Sequence, residues 1–410
     1  MSVSIPYMGN KQWLASDVAR IVSGLKRGPI LDLFSGMCSI AQAVGTKRAI
    51  WCNDKQAFPA LVASSLLRGG NPPTKSEVSL LEKYYTENLT ALWPRFESNV
   101  KDETQALASG DFTKLRKASF DLPFVGTDPS LSLERTELAD SPKRFPYRLF
   151  SITYAGSYFG IFQSIQLDSL RYAIDKALIS KQIDRKLANW LLVCLGIAAI
   201  RSNNATGHFA QFLRLTQTNQ DRVLAQRSRS VWIEFVLALN QIAPLGTPKW
   251  RLNNKCFHSE SVGLLSRLGR SNLRPSVIYA DPPYSEAQYS RYYHLLDTLL
   301  AYDYPSVEGV GRYPPNRFQT AFSHKKTVQK SMRQLVVGSA RLGADLVISY
   351  PSNGLFAASG GDIAELLNEN FKKAEMVKTI KQPHSSFGGP KAKPKAMVEE
   401  CIYVARRSRR

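Results

Sequence analysis

Short apolar runs that stop abruptly on polar or special residues punctuate both ends of the chain. In "GPILDLFSG" the run over 30–34 has strand length and ends at a glycine turn, and "MCSIAQAVGTKR" then has the spacing of a short helix stopped near Gly45. "AIWCND" is a second strand closing on Asn53-Asp54, with a helix expected over about 56–67. Strand, turn, helix, strand predicts half of a parallel α/β unit. The pattern then changes. "RGGNPPTKSE" reads as loop, "LASGDFTKL" as another edge-of-sheet turn, and residues 120–143 are irregular, with Pro, Asp, Ser and Thr spread through them. Helical periodicity returns over 164–201 and continues in "FLRLTQTNQDRVLAQRSRSVWIEFVLAL", which sets Arg214, Arg222, Arg227 and Arg229 on prospective helix faces. The α/β pattern resumes at Val277 and at "GADLVISYPSNGLF", and two strands joined by a long basic connection end the chain. The organisation expected is an α/β core over 1–118 and 271–410, interrupted by a mostly helical, basic segment over 119–270.

Charge narrows the partners. The 410 residues carry 54 Lys and Arg against 33 Asp and Glu, a formal charge of +21, which concentrates polyanions around the protein and points to a nucleic acid. Five cysteines, at 38, 52, 194, 256 and 401, have no close pair of the kind that binds zinc or performs redox chemistry, so no metal is expected and a reducing cytoplasm fits. The longest apolar run, "LANWLLVCLGIAAI", is too short for a membrane span and contains Asn189, and the N-terminus lacks a signal core. A buried helix, not a membrane anchor, is expected there.

The chemistry concentrates where apolar runs end. Asp32 and Phe34 reach the end of the first strand, and Gly36 lets the backbone turn closely around a ligand; Asp54, ending the second, is placed to accept from both hydroxyls of a ribose. The turn lacks the GKS/T ending of a phosphate-cradling loop. In "VIYADPPYSEAQYSRYYHLLDTLL" two prolines make a stiff loop that presents one carboxylate, one ring and carbonyls without competing donors. Such a loop suits an exocyclic amine whose lone pair is delocalised into a flipped base. Asp281 accepts one N–H, the Pro282 carbonyl the other, and Tyr284 stacks on the ring, so the nitrogen is drawn toward tetrahedral geometry as it attacks an electrophilic methyl.

"YMGNK" at 7–11, "LDLFSG" at 31–36, "ND" at 53–54, "GDF" at 110–112 and "DPPY" at 281–284 resemble, in this order, the S-adenosylmethionine-dependent DNA adenine-N6 methyltransferases of the deoxyadenosine-methylase class. The resemblance implies a Rossmann-like class I methyltransferase mixed sheet with a mostly helical basic insertion, S-adenosyl-L-methionine as cofactor, and double-stranded DNA as partner. It sets Tyr7, Gly9, Asn10 and Lys11 near the cofactor's methionine end, Asp32, Phe34, Ser35 and Gly36 at the cofactor turn, Asp54 at the ribose, and Asp111 and Phe112 at the adenine ring. Asp281, Pro282, Pro283 and Tyr284 become the catalytic loop. One departure stands out: the family's further glycine, two residues beyond Gly36, is Cys38 here, and its Cβ is expected to narrow the methionine site. Cytosine-C5 enzymes share an Asp-Leu-Phe-Ser-Gly turn but need a Pro-Cys nucleophile, and no cysteine here follows a proline.

Candidate DNA contacts are the polar loop with Asn203, Asn204 and His208, the pair Arg227 and Arg229, Arg291 after the catalytic loop, and the basic aromatic loop holding Arg312, Arg317 and Lys325. Tyr289 and Tyr292 flank Arg291 where a lid or phosphate clamp is expected, and His294 is expected to be packed. Structured RNA as substrate, or a DNA-binding module without chemistry, remain alternatives. So do a restriction-nuclease partner, a solitary modifier and a phage-defence role.

Overall fold

The computed structural model describes residues 12–383 and 397–407. Seven strands make one sheet: β1 Ile30–Asp32, β2 Ile50–Asp54, β3 Lys255–His258, β4 Val277–Ala280, β5 Asp345–Pro351, β6 Lys373–Pro383 and β7 Met397–Arg406. Their order is β3-β2-β1-β4-β5-β7-β6, with β1 to β5 mutually parallel and β7 antiparallel to both neighbours. A mixed sheet in that order is the Rossmann-like class I methyltransferase arrangement. The central strands β1, β4 and β5 are buried throughout, as parallel strands covered on both faces must be. One face packs against the core built by the helices around 14–22, 58–67 and 161–199; the other packs against the helices Ser261–Gly269 and Val328–Arg341.

The helical segment is larger, and begins earlier, than the irregular composition of 120–143 suggests. It starts with the helix Lys75–Ser109, opened by a capping box between Thr74 and Glu77, and every helix down to Pro248–Arg251 lies between β2 and β3. The third strand follows these helices, inside the span 119–270 expected to be the insertion. "GDF" is not a sheet-edge turn: Gly110 closes the long helix in the left-handed region at φ 65°, and Asp111 caps the next helix by accepting from the Lys114 amide at 3.0 Å. The apolar run over 187–200 lies within the helix Arg185–Ser202, most of whose residues are buried, and among the described residues no helix is long and apolar enough to cross a membrane.

Candidate functional site

Strand order makes the site. Neighbouring strands β1 and β4 leave the sheet to opposite sides, and a crevice opens at their carboxyl ends. Asp32, Tyr279 and the loop after Ala280 come together there because Asp32 is in register with Tyr279, and the Leu33 amide continues the ladder to the Tyr279 carbonyl at 2.9 Å. The turn after β1 stays tied to β2: the Ser35 amide donates to the Asn53 carbonyl at 2.9 Å, and the Asn53 side-chain amide donates to the Leu33 carbonyl at 3.0 Å. Asp54 fastens the same turn from its side chain. One oxygen accepts from the Gly36 amide and the other from the Gln56 amide, each at 2.9 Å. The Lys55 amide also eases the Asp54 charge, so of the roughly four acceptor positions of a carboxylate about one remains for a ligand.

One cavity gathers Asp32, Phe34, Ser35, Gly36, Asp54, Asp281, Pro282, Pro283 and Tyr284, all singled out from the sequence. Tyr284 is pinned through its carbonyl, which accepts from the Leu355 amide at 2.8 Å, and Tyr279 shares a 2.7 Å hydrogen bond with Ser349. Among the described residues, neither Asp32 oxygen has a partner in normal hydrogen-bond geometry, although the nearby Phe34 amide eases its charge. Burial, then repulsion from Asp281, pushes the Asp32 carboxyl up to about 8. Burial raises Asp54 as well, against the opposing pull of the Gln56 and Gly36 amides.

Tyr289, expected in a lid or phosphate clamp, also lines the cavity. Other lining residues escaped the sequence reading: Met37, Ser39, Ile40, Lys55 and Gln56 come from the two strand ends, and Phe318 and Thr320 from the long loop before the helix Val328–Arg341. That loop is held down at several points. Phe322 meets Phe34 edge-on at 5.5 Å, the Thr320 amide donates to the Gln288 side chain at 3.1 Å, and the Lys55 ammonium lies 5.9 Å from the Phe318 ring centre. The basic, aromatic composition of 309–326 marks the loop as special; nothing in it identifies Phe318 as the residue that reaches the cavity.

Several expected contacts lie elsewhere. Asp111 caps its helix and Phe112 packs with Ala106, Leu115 and Val223, away from the cavity. The Ser259 amide, just after β3, instead bonds the Asp54 carbonyl at 3.0 Å, which brings the end of β3 beside the ribose candidate. Tyr7, Gly9, Asn10 and Lys11 lie outside the described residues. Cys38 adopts φ 61°, the conformation a glycine would supply, but its side chain is fully buried in the core and does not line the cavity. The expected narrowing of the methionine site by its Cβ is not seen.

The prospective DNA contacts divide similarly. Asn203 and Asn204 are buried; the Asn204 side chain donates to the Leu213 carbonyl at 2.9 Å and the Asn203 side chain to the Ile200 carbonyl. His208 packs on Tyr292, and its Nδ1 accepts from the Ala210 amide at 3.2 Å. Arg227 is buried against Glu103, and Arg312 lies 3.6 Å over the Phe124 ring while donating to the Thr153 carbonyl. Of these side chains Arg312 is half-buried and the others are buried, unlike the exposed cations that meet a phosphate backbone. Arg229, Arg291 and Lys325 are exposed, and Arg317 is half-buried over the Tyr313 ring. His294 is buried, with Nε2 at 3.0 Å from the Phe209 carbonyl, as expected for a packed histidine.

No family model matches the chain. Among curated proteins it is 20% identical to Modification methylase StsI of Streptococcus sanguinis over 98% of this chain and 52% of that protein. It is 22% identical to Type II methyltransferase M.FokI of Planomicrobium okeanokoites, over 72% of this chain and 41% of the other. A shorter match, 29% identical, covers 39% of this chain and 44% of Type II methyltransferase M.CviAII of Paramecium bursaria Chlorella virus 1. The chain thus spans about half the length, or less, of the curated relatives it matches, and what it is distantly similar to, over almost all of its own length, is a modification methylase.

Proposed function

We propose that this chain methylates N6 of adenine in a specific duplex DNA sequence, with S-adenosylmethionine as methyl donor. The observation that carries the reading is the single cavity in which the Asp-Pro-Pro-Tyr loop of β4 faces the acidic ends of β1 and β2. The relatives named as modification methylases support the same class.

The chain's residues fit the cofactor. A buried carboxylate without proper partners is costly unless a cation or donor arrives, and among the described residues Asp32 is such a group. Asp32 would hold the positively charged methionine end of S-adenosylmethionine, and the remaining acceptor position of Asp54 would take a ribose hydroxyl. When bound, the cofactor supplies a methyl group activated by positive sulfur. Asp281 and the Pro282 carbonyl accept the two N–H groups of a flipped adenine, which localises the lone pair on nitrogen and directs it into the cavity. Tyr284 holds the ring by stacking, worth roughly 1–3 kcal/mol. Once the nitrogen carries its fourth bond it is cationic, and its excess proton leaves along the hydrogen bond to Asp281 and on to water. Lys55, Arg291, Arg317 and Lys325 supply backbone contacts around the mouth.

Incubation with labelled S-adenosylmethionine and a mixed duplex library, followed by nucleoside analysis, is expected to yield N6-methyladenine. Label found only as N4-methylcytosine would overturn the base assignment. Asp281→Ala is expected to keep fold and cofactor binding while slowing methyl transfer about 100-fold or more; a near-normal single-turnover rate would remove the loop from the chemistry.

A further inference from the structure

The groove at the opposite pole of the sheet, where β1, β5 and β6 begin and β7 ends, has no part in the site described above. It measures about 1460 Å³ and is lined from four separate parts of the chain: Lys26 and Arg27 before β1, Arg341 at the end of the helix Val328–Arg341, Lys372 before β6, and Arg406 and Arg407 at the end of β7. These side chains are all exposed. Its two acids are already engaged. Asp345 accepts from the Lys26 amide at 3.1 Å and the Arg407 amide at 3.2 Å, and Glu369 pairs with Arg333 at 2.8 Å.

Among the described residues, no carboxylate lies within ion-pair distance of Arg27, Arg341, Lys372 or Arg407. The end of the helix Val328–Arg341 favours positive charge at Arg341 by its dipole, but that accounts for one cation of the set. Like charges converging from separate elements repel, and a polyanion relieves the repulsion by replacing their counterions.

We propose that this groove holds the phosphate backbone of a second segment of duplex DNA. The inference rests on the reading of the chain as a DNA methyltransferase. Geometry requires the segment to be a second one. β5 alone, at about 3.3 Å per residue, separates the groove from the crevice by roughly 20 Å, and the two open at opposite ends of the strands. Duplex DNA is stiff over about 150 bp, so a helix seated at the crevice does not curl round to the far pole. A second helix, or a distant stretch of the same molecule, reaches it without bending. Bound there, it keeps another length of DNA at hand when the first is released.

The test is a titration of the full chain with short fluorescent duplexes at low salt, without cofactor, comparing wild type with Lys26→Ala/Arg27→Ala/Arg341→Ala/Lys372→Ala. A matched control replaces Lys75, Lys101, Lys117 and Lys181, exposed lysines of the helical segment. Wild type and control are expected to take two duplexes, and the groove variant one, with the salt slope of the lost event accounting for about three or four phosphates. The groove variant is also expected to methylate a short duplex at the wild-type single-turnover rate and to fall several-fold behind on a long one. A single duplex bound by wild type, or equal loss in groove variant and control, overturns the proposal. Because the second event is read without methyl transfer, failure of the methyltransferase reading appears separately, as no methylated base with duplex binding intact.

Discussion

Asp32 and Asp168 are both excluded from solvent, at 1% and 0% exposure, yet they are opposite kinds of buried acid. Asp168, in the helical segment, is saturated: one oxygen accepts from the Phe150 amide at 2.8 Å and the Tyr302 hydroxyl at 2.6 Å, the other from the Ser151 amide at 2.9 Å and its hydroxyl at 2.6 Å. Burial raises its carboxyl to about 6, and those four donors hold it from rising further. Asp32 has no comparable set, and Asp281 and Asp54 add repulsion to its burial. Glu103 sides with Asp168, accepting from the Ile161 and Phe162 amides at 3.2 Å each and facing Arg227 at 3.6 Å. A buried charge whose partners are built in belongs to the scaffold; one whose partners are missing marks where a ligand completes the protein.

Arg227→Ala gives the largest expected effect. It strips Glu103 of its only buried cation among the described residues and should cost about 3–5 kcal/mol, read as a lower urea midpoint with no selective loss of DNA affinity. A stable variant that had lost salt-dependent DNA binding would break the comparison by making Arg227 a surface contact.

Asp32→Asn tests the other side. The Asp32 carboxyl is raised from 3.8 to about 8, so the folded state holds a proton that the unfolded chain releases, and the contribution to stability falls as pH rises from about 4 to about 8. Asp297, raised to about 7, follows the same sign over part of that window and stays in the variant. The Asn variant should therefore show a flatter, not a flat, pH dependence of its urea midpoint, together with at least tenfold weaker S-adenosylmethionine binding by calorimetry. Identical pH profiles would show that Asp32 is already satisfied. Cys38→Gly is expected to do least: strain at φ 61° is relieved while buried contacts are lost, for a net change within about 1 kcal/mol. Its cofactor dissociation constant should stay within about twofold; a large change would place the thiol against the ligand.

The crevice was legible in the sequence because its strands end on residues with backbone or charge consequences. Gly36, Asp54 and the Pro282-Pro283 pair announce where the chain leaves the sheet, and the acids next to them face one another. Strand β3 was not legible, since "KCFH" is short and only partly buried, and its neighbours in sequence are helical. Gly110-Asp111 misled for a physical reason: a helix C-terminus followed by an N-cap uses the same small and acidic residues as a ligand-binding turn. Likewise Arg227 and Arg312 look like surface cations until Glu103 and Phe124, far away in the sequence, are seen to enclose them.

The pairing of β1 with β4 joins Ile30 to Val277, and β2 reaches β3 only across the whole helical segment. During synthesis, β1 and β2 emerge with both outer edges open and must wait while about half of the chain is made. The helices between them have many local contacts and can pack on their own timescale. The crevice, by contrast, appears only when the strands on either side are finally zipped to β1 and β2. Until then the young chain exposes apolar strand edges and has no crevice, so the step most open to misassembly is also the one that builds the candidate site.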